Sequence, residues 1–190
     1  MIACNTAIAQ EGMHGDYGAN IGKVIAIRKD LPSLLKAYAA AGSDARMNGC
    51  ELPVVINSGS GNQGLTVSVP LIIYAEREYL DKEKLYRALV ISNLTAIHLK
   101  TEIGRLSAFC GAVSAGAACG AGLAYLKDAS EEVMNHTIVN ALAITSGIIC
   151  DGAKPSCAAK IASSVDAGIL GYEMYRHGQQ FYGEDGIVSK

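Results

Sequence analysis

This sequence predicts an all-α fold, or nearly so. Capped amphipathic segments follow one another along the chain. Only one run, Leu52-Pro-Val-Val-Ile56, is strand-like, and a stretch of small apolar residues around Ala108–Leu126 reads as a buried helix.

Asp30 caps the first predicted helix, which has Pro32 in its first turn and continues through Leu34, Leu35 and an alanine run to Gly42. The strand-like run leads into Asn57-Ser-Gly-Ser-Gly-Asn-Gln-Gly64, and a helical stretch containing Glu76 and Glu78 follows. Asp81 caps a long helix on which Tyr86, Val90, Leu94 and Ile97 repeat at spacings of four, four and three. Glycines and serines interrupt the Ala108–Leu126 run, so it reads as a closely packed helix and not as a membrane span. Asp128 and Glu131 form an Asp-x-x-Glu variant of the capping box, ahead of Met134, Ile138, Ala141 and Leu142 on one face and a stop near Gly147. Pro155 fits the first position of the last helix, where Cys157, Ile161, Val165, Gly168 and Tyr172 share a face and Cys157 falls in the first turn. Glycine numbers 21, high for helices, which implies close helix approach or loops that bring backbone to a ligand.

The 190 residues suffice for one buried core and read as a single domain. Hydrophobic residues are 50% and charged residues 18%, so part of the surface is expected to be covered by a partner subunit or by further polypeptide of the same protein. A net charge of −2 carries no footprint for nucleic acid or an anionic membrane. Met1-Ile-Ala-Cys-Asn-Thr lacks the basic and apolar regions of a secretory signal. The six cysteines are therefore expected to be reduced thiols in a cytoplasmic protein.

Gly59-x-Gly61-x-x-Gly64 matches the bare dinucleotide fingerprint, but helix after helix follows it where strand–helix alternation is required. The better reading is a loop of backbone amides and small hydroxyls. Ser58, Gly59, Ser60, Gly61, Asn62 and Gln63 offer donors and acceptors suited to a carboxylate or an α-amino acid. A plain glycine-rich connector is the structural alternative. In Glu11-Gly-Met-His-Gly-Asp16, His14 between glycines is a candidate base or substrate ligand. His98 reads as a core or surface residue, and His136 and His177 as solvated.

Cys4, Cys50 and Cys119 carry no spacing pattern and default to inert burial. Cys150 and Cys157 differ, because they bracket the turn Asp-Gly-Ala-Lys-Pro-Ser between one helix end and the next helix start. A thiolate at a helix N-terminus is stabilised by the dipole and unpaired amides, and Lys154 adds positive charge. Zinc would want a Cys-x-x-Cys pair or nearby histidines, and neither is present. Cys110, Cys150 and Cys157 would suit an iron–sulfur cluster with one iron left open, although their separations match no general ferredoxin spacing.

Four segments in order resemble one family across essentially the whole chain: Ala3–Gly18, Asn57–Gly64, Phe109-Cys-Gly-Ala-Val-Ser-Ala and Ile149–Ile161. The chain is similar to the L-cysteine desulfidases, relatives of the α chain of iron–sulfur L-serine dehydratases. The resemblance implies an all-helical catalytic domain, a [4Fe–4S] cluster and β-elimination from a small amino acid without pyridoxal phosphate. It assigns Cys110, Cys150 and Cys157 to the cluster and Ser58–Gln63 to the carboxylate; His14 and Lys154 are the candidate bases. Members of that family extend well beyond Met1 and somewhat beyond Lys190. The expectation is therefore a C-terminal piece whose partner is the missing N-terminal portion or a second copy.

Overall fold

The computed structural model describes residues 1–104 and 107–186. Eight helices appear among them: α1 (Ile2–His14), α2 (Ile21–Ala26), α3 (Leu31–Met47), α4 (Gly61–Arg77), α5 (Lys82–Ile103), α6 (Gly111–Leu126), α7 (Glu131–Thr145) and α8 (Cys157–Arg176). The β-structure among the described residues amounts to two isolated bridges, Asn57 with Ser60 and Phe109 with Ile149, so the fold is all-α. Leu52–Ile56 forms no strand.

α4 and α8 stand in the middle, each packed against both α3 and α6. α1 and α2 cover α3, and α5 and α7 cover α6. The alanines and glycines of α6 explain its central place, since small residues let backbones come close from several sides. A Cβ at Gly116 would lie 2.4 Å from the Ser164 carbonyl oxygen, and one at Gly168 would lie 2.6 Å from that of Gly116. α6 and α8 therefore cross almost backbone to backbone.

Local chemistry sets most helix starts. The Asp30 carboxylate accepts from the Ser33 amide at 2.8 Å, with Pro32 in the first turn of α3, and Asp81 accepts from the Lys84 amide at 2.9 Å to start α5. α3 does not stop at Gly42. It runs to Met47, and Gly42 sits mid-helix where an added Cβ would lie 3.1 Å from Leu65. The cap of α7 is Ser130, whose hydroxyl accepts from the Val133 amide at 3.4 Å, and not Asp128. Asp128 takes a left-handed conformation after α6 and pairs with Lys84 at 2.8 Å. α7 ends at Thr145, so Cys150 lies on a loop and not at a helix end.

Residues 1–29, for which the sequence pattern predicts no element, contain two helices. Gly12 lies within α1, where a Cβ would come 2.0 Å from the Ala41 carbonyl oxygen, so this glycine serves packing and not flexibility. The stripe Tyr86, Val90, Leu94 and Ile97 on α5 faces outward, 44–59% exposed. Ala88, Leu89, Ser92, Ala96 and Lys100 face inward instead. A Cβ at Gly122 of α6 would lie 3.2 Å from the Ala88 carbonyl oxygen, so this interface is packed small against small. No described helix is long and apolar enough to cross a membrane.

Candidate functional site

The tight turn Asn57–Ser60 is closed by reciprocal backbone bonds of 3.1 and 3.0 Å. Ser58 and Gly59 have φ of +48° and +83°, the signature of a type I′ turn. Ser60 then caps α4, accepting from the Gln63 amide at 3.4 Å. Asn5 of α1 fixes the approach to this turn from below. Its buried amide donates to the carbonyls of Val55 (3.2 Å) and Gly64 (3.1 Å) and to Ser68 Oγ (3.0 Å), and it accepts from the Val55 amide at 2.8 Å. Each glycine of the Gly59–Gly61–Gly64 pattern thus has its own reason. Gly59 serves the turn, Gly61 leaves room for the Arg46 guanidinium (an added Cβ would lie 2.3 Å from Nε), and Gly64 packs on Val55, where an added Cβ would lie 2.0 Å from the carbonyl oxygen. No sheet flanks the motif among the described residues, so the dinucleotide reading has no structural support.

A cavity of about 320 Å³ opens where three helices begin. It is lined by Ser58, Gly59, Ser60, Asn62 and Gln63 at the start of α4, and by Cys110, Gly111 and Ala112 at the start of α6. Cys157 at the start of α8, with Cys150, Gly152 and Ala153 of the preceding loop, closes it. The Phe109–Ile149 bridge holds this loop to the entrance of α6: the Cys150 amide donates to the Ala108 carbonyl at 2.7 Å and the Cys110 amide to that of Ile148 at 3.4 Å.

The three thiols share one electrostatic environment. Burial pushes the Cys110 thiol up, the amides of Val113 and Ala112 pull it down, and the charges of Cys150 and Cys157 raise it again. Cys157 Sγ accepts from the Lys154 amide at 3.4 Å and donates to the Gly152 carbonyl at 3.6 Å. Lys160 bonds Asp151 and the Ile149 carbonyl (3.2 Å), tying the cysteine loop back to α8. That bond lowers the Asp151 carboxyl and raises Lys160, which also feels Cys110 and Cys157.

Among the described residues, no three His, Cys, Asp or Glu side chains form a group that could hold a single metal ion as they stand. A cluster asks for a different arrangement, because each thiolate binds a different iron. The donor set fits one: three thiols around one cavity, two of them at helix N-termini, and no carboxylate in the lining. The Gln63 side-chain oxygen Oε1 beside it is buried without a hydrogen-bond partner among the described residues.

Of the residues singled out in the sequence, the three cysteines and the Ser58–Gln63 turn come together. His14 does not join them. It is exposed at the end of α1, with Nδ1 2.8 Å from the Gln10 carbonyl oxygen, and lines no part of this cavity. Lys154 is exposed on the cysteine loop, its side chain along Gly152. Cys119 is buried in α6, its thiol pushed well up by desolvation, whereas Cys4 and Cys50 are half-buried. His136 is not a free solvated residue, since its ring stacks on Tyr175 at 4.4 Å. His177 is exposed beside Glu173. Sequence reasoning missed Arg46 and Lys100, the two cations in the lining. For Lys100 a signal existed: it falls on the same helix face as Ala88, Ser92 and Ala96.

The chain is 64% identical to a UPF0597 protein of Desulfitobacterium hafniense, across all of this chain and 44% of that protein. It is 57% identical to a UPF0597 protein of Lachnoclostridium phytofermentans (98% of this chain, 45% of that one), and 40% identical to UPF0597 protein YhaM of Escherichia coli (97% and 44%). The chain therefore spans a little under half the length of these relatives. No solved structure matches it. The family model described as "Serine dehydratase alpha chain" matches residues 1–190, and the chain belongs to that family.

Proposed function

We propose that this chain is the helical catalytic domain of a [4Fe–4S]-dependent lyase that eliminates sulfide from L-cysteine. The product aminoacrylate hydrolyses to pyruvate and ammonia. The observation that carries this reading is the convergence of Cys110, Cys150 and Cys157 with the Ser58–Gln63 turn on one cavity, in a chain of the serine dehydratase alpha chain family. The three cysteines would hold the cluster, which supplies Lewis acidity toward the leaving group.

The chain's own residues supply binding and proton transfer. The amides of Gly61 and Asn62, the first two of α4, have no acceptor among the described residues and point from a helix N-terminus, which suits a carboxylate. Of the two base candidates, Lys154 stands on the loop whose Gly152 and Ala153 line the cavity, and the Cα proton is assigned to it in preference to His14. L-serine is the alternative substrate, differing by one atom in the leaving group. The outward stripe on α5 supports a cover from the rest of a polypeptide as long as the relatives.

The test is anaerobic reconstitution of the full-length protein with iron and sulfide, followed by iron counting and assays of sulfide and pyruvate on L-cysteine and L-serine. Cys110→Ala, Cys150→Ala and Cys157→Ala should each lower bound iron and abolish turnover. Unchanged iron content in all three refutes the ligand assignment.

A further inference from the structure

The cavity beside the cysteines contains an electrostatic arrangement that the loop motif does not explain. Arg46, from the last turn of α3, lays its guanidinium over Gly61, the first residue of α4. A cation at a helix N-terminus opposes the helix dipole and is unfavourable by itself. Arg46 has no acidic partner among the described residues, and no Asp or Glu lines the cavity. Its neighbours are neutral: Nη1 donates to Asn62 Oδ1 at 3.2 Å and contacts the Met47 sulfur at 3.8 Å.

Asn62 is 4% exposed, and its side chain is occupied by protein. Oδ1 also accepts from Ser43 Oγ at 3.3 Å, while Nδ2 donates to the Met47 sulfur at 3.6 Å. Its amide group therefore orients Arg46 and is not free for a ligand. Lys100, 5% exposed on the inward face of α5, lines the same cavity, and no carboxylate reaches it among the described residues. Arg46, Lys100 and the start of α4 thus border one cavity whose lining holds no carboxylate, and its thiols are those the proposed cluster would use. Such a pocket is complete only with an anionic ligand present.

We infer that Arg46 and Lys100 bind the α-carboxylate of the substrate at the N-terminus of α4, and that Asn62 is a positioning residue which holds the Arg46 guanidinium over Gly61. The inference rests on the amino-acid lyase reading and deepens it, since it assigns carboxylate recognition to two cations outside the glycine-rich motif. A planar guanidinium held on one edge presents its other edge to both oxygens of a carboxylate, which an ammonium cannot do.

The experiment uses the full-length reconstituted protein with L-alanine as probe, which carries the carboxylate but no leaving group, and L-alaninamide as its neutral counterpart. Calorimetry gives Kd for both, and steady-state kinetics give KM and kcat for the substrate turned over. L-Alanine should bind and L-alaninamide should bind at least tenfold more weakly. Arg46→Gln should raise the L-alanine Kd and the substrate KM at least tenfold with kcat within about threefold, and Arg46→Lys should recover part of the loss. Lys100→Gln should act in the same direction. Asn62→Ala should weaken binding less than Arg46→Gln does and add little to it, as expected of a residue acting through Arg46. Iron content and thermal midpoint are followed in every variant, so a misfolded protein is recognised and the Arg46→Lys comparison then decides.

Equal binding of L-alanine and its amide, no binding of L-alanine by the wild type, or an Arg46→Gln protein with unchanged Kd overturns the inference. The two readings fail separately. L-Alanine binding that depends on Arg46 in a protein releasing neither sulfide nor pyruvate upholds the carboxylate site and removes the lyase. Turnover by Arg46→Gln at wild-type KM does the reverse.

Discussion

Gly116→Ala separates two opposing expectations, because helix propensity and packing predict opposite signs. Mid-helix, replacing glycine by alanine stabilises by about 1 kcal/mol. In this structure the new methyl would lie 2.4 Å from the Ser164 carbonyl oxygen, 2.5 Å from its carbon and 2.6 Å from its Cβ. Two of those three atoms are backbone, so no side chain can swing away. Ordinary contact at about 3.5 Å requires α6 and α8 to separate by roughly 1 Å, and a gap of that size forfeits a quarter to a half of each dispersion contact along the seam. Overpacking of this kind costs about 1–3 kcal/mol, and here the lost seam contacts add to it, so a net loss of about 2 kcal/mol survives the propensity gain. At roughly 2–4 °C per kcal/mol for a protein of this size, the thermal midpoint should fall by about 4–8 °C. Far-UV circular dichroism during heating measures it. Gly42→Ala is the control, since its methyl would meet the end of the Leu65 side chain at 3.1 Å and the Ala9 Cα at an ordinary 3.5 Å, and it should change the midpoint little. Cys110 and Cys157 begin the two helices forced apart, so Gly116→Ala should also lower iron uptake. A Gly116→Ala protein melting at or above wild type would refute the close-crossing argument.

Asn5→Ala removes a fully buried side chain with four hydrogen bonds and leaves the Val55 amide and carbonyl without their partner; a loss of about 3 kcal/mol is expected in urea unfolding, with the Asn57–Ser60 turn loosened. Asp30 has its carboxyl held below the ordinary range, first by the Ser33 amide and then by the Ser33 hydroxyl. Its stabilisation is therefore present above the unfolded pKa and lost as pH falls through the lower folded value, so Asp30→Asn should flatten the acid limb of the stability profile. In iodoacetamide labelling of the native apoprotein, exposed Cys150 should react first and Cys119 not at all without denaturant. Cluster loading should protect Cys150 while leaving Cys4 and Cys50 unchanged, as read by mass spectrometry.

The sequence made helix starts legible wherever a side chain supplies the cap, as Asp30 and Asp81 do. It was misleading where two caps competed: Asp128 and Ser130 both suit the role, and the ion pair to Lys84 draws Asp128 away. The apolar face of α8 was readable because all five of its spaced residues pack inward. That of α5 was inverted. Periodicity locates a stripe but not the side it faces, and the glycines of α6 admit only small residues at that interface. At the site, residues clustered in sequence were visible, namely the glycine-rich turn and the cysteine loop. Arg46 was not, because it is a single cation brought in by a helix from elsewhere in the chain, and Lys100 was marked only by its place on the small-residue face of α5.

The charge balance of the cavity connects these pieces. A thiolate-held cluster and a substrate carboxylate are both anionic, and in a partly desolvated cavity they would repel one another. The start of α6 faces Cys110 and that of α8 carries Cys157, so both helix dipoles act on the thiolate side. The start of α4, Arg46 and Lys100 act on the other. Asp151 and Lys160, the charged pair nearest the cysteines, neutralise each other and contribute little net field. On the proposed reading, the fold supplies each anion with its own positive partner, and removing Arg46 should weaken the carboxylate side while the cysteine side still takes up iron.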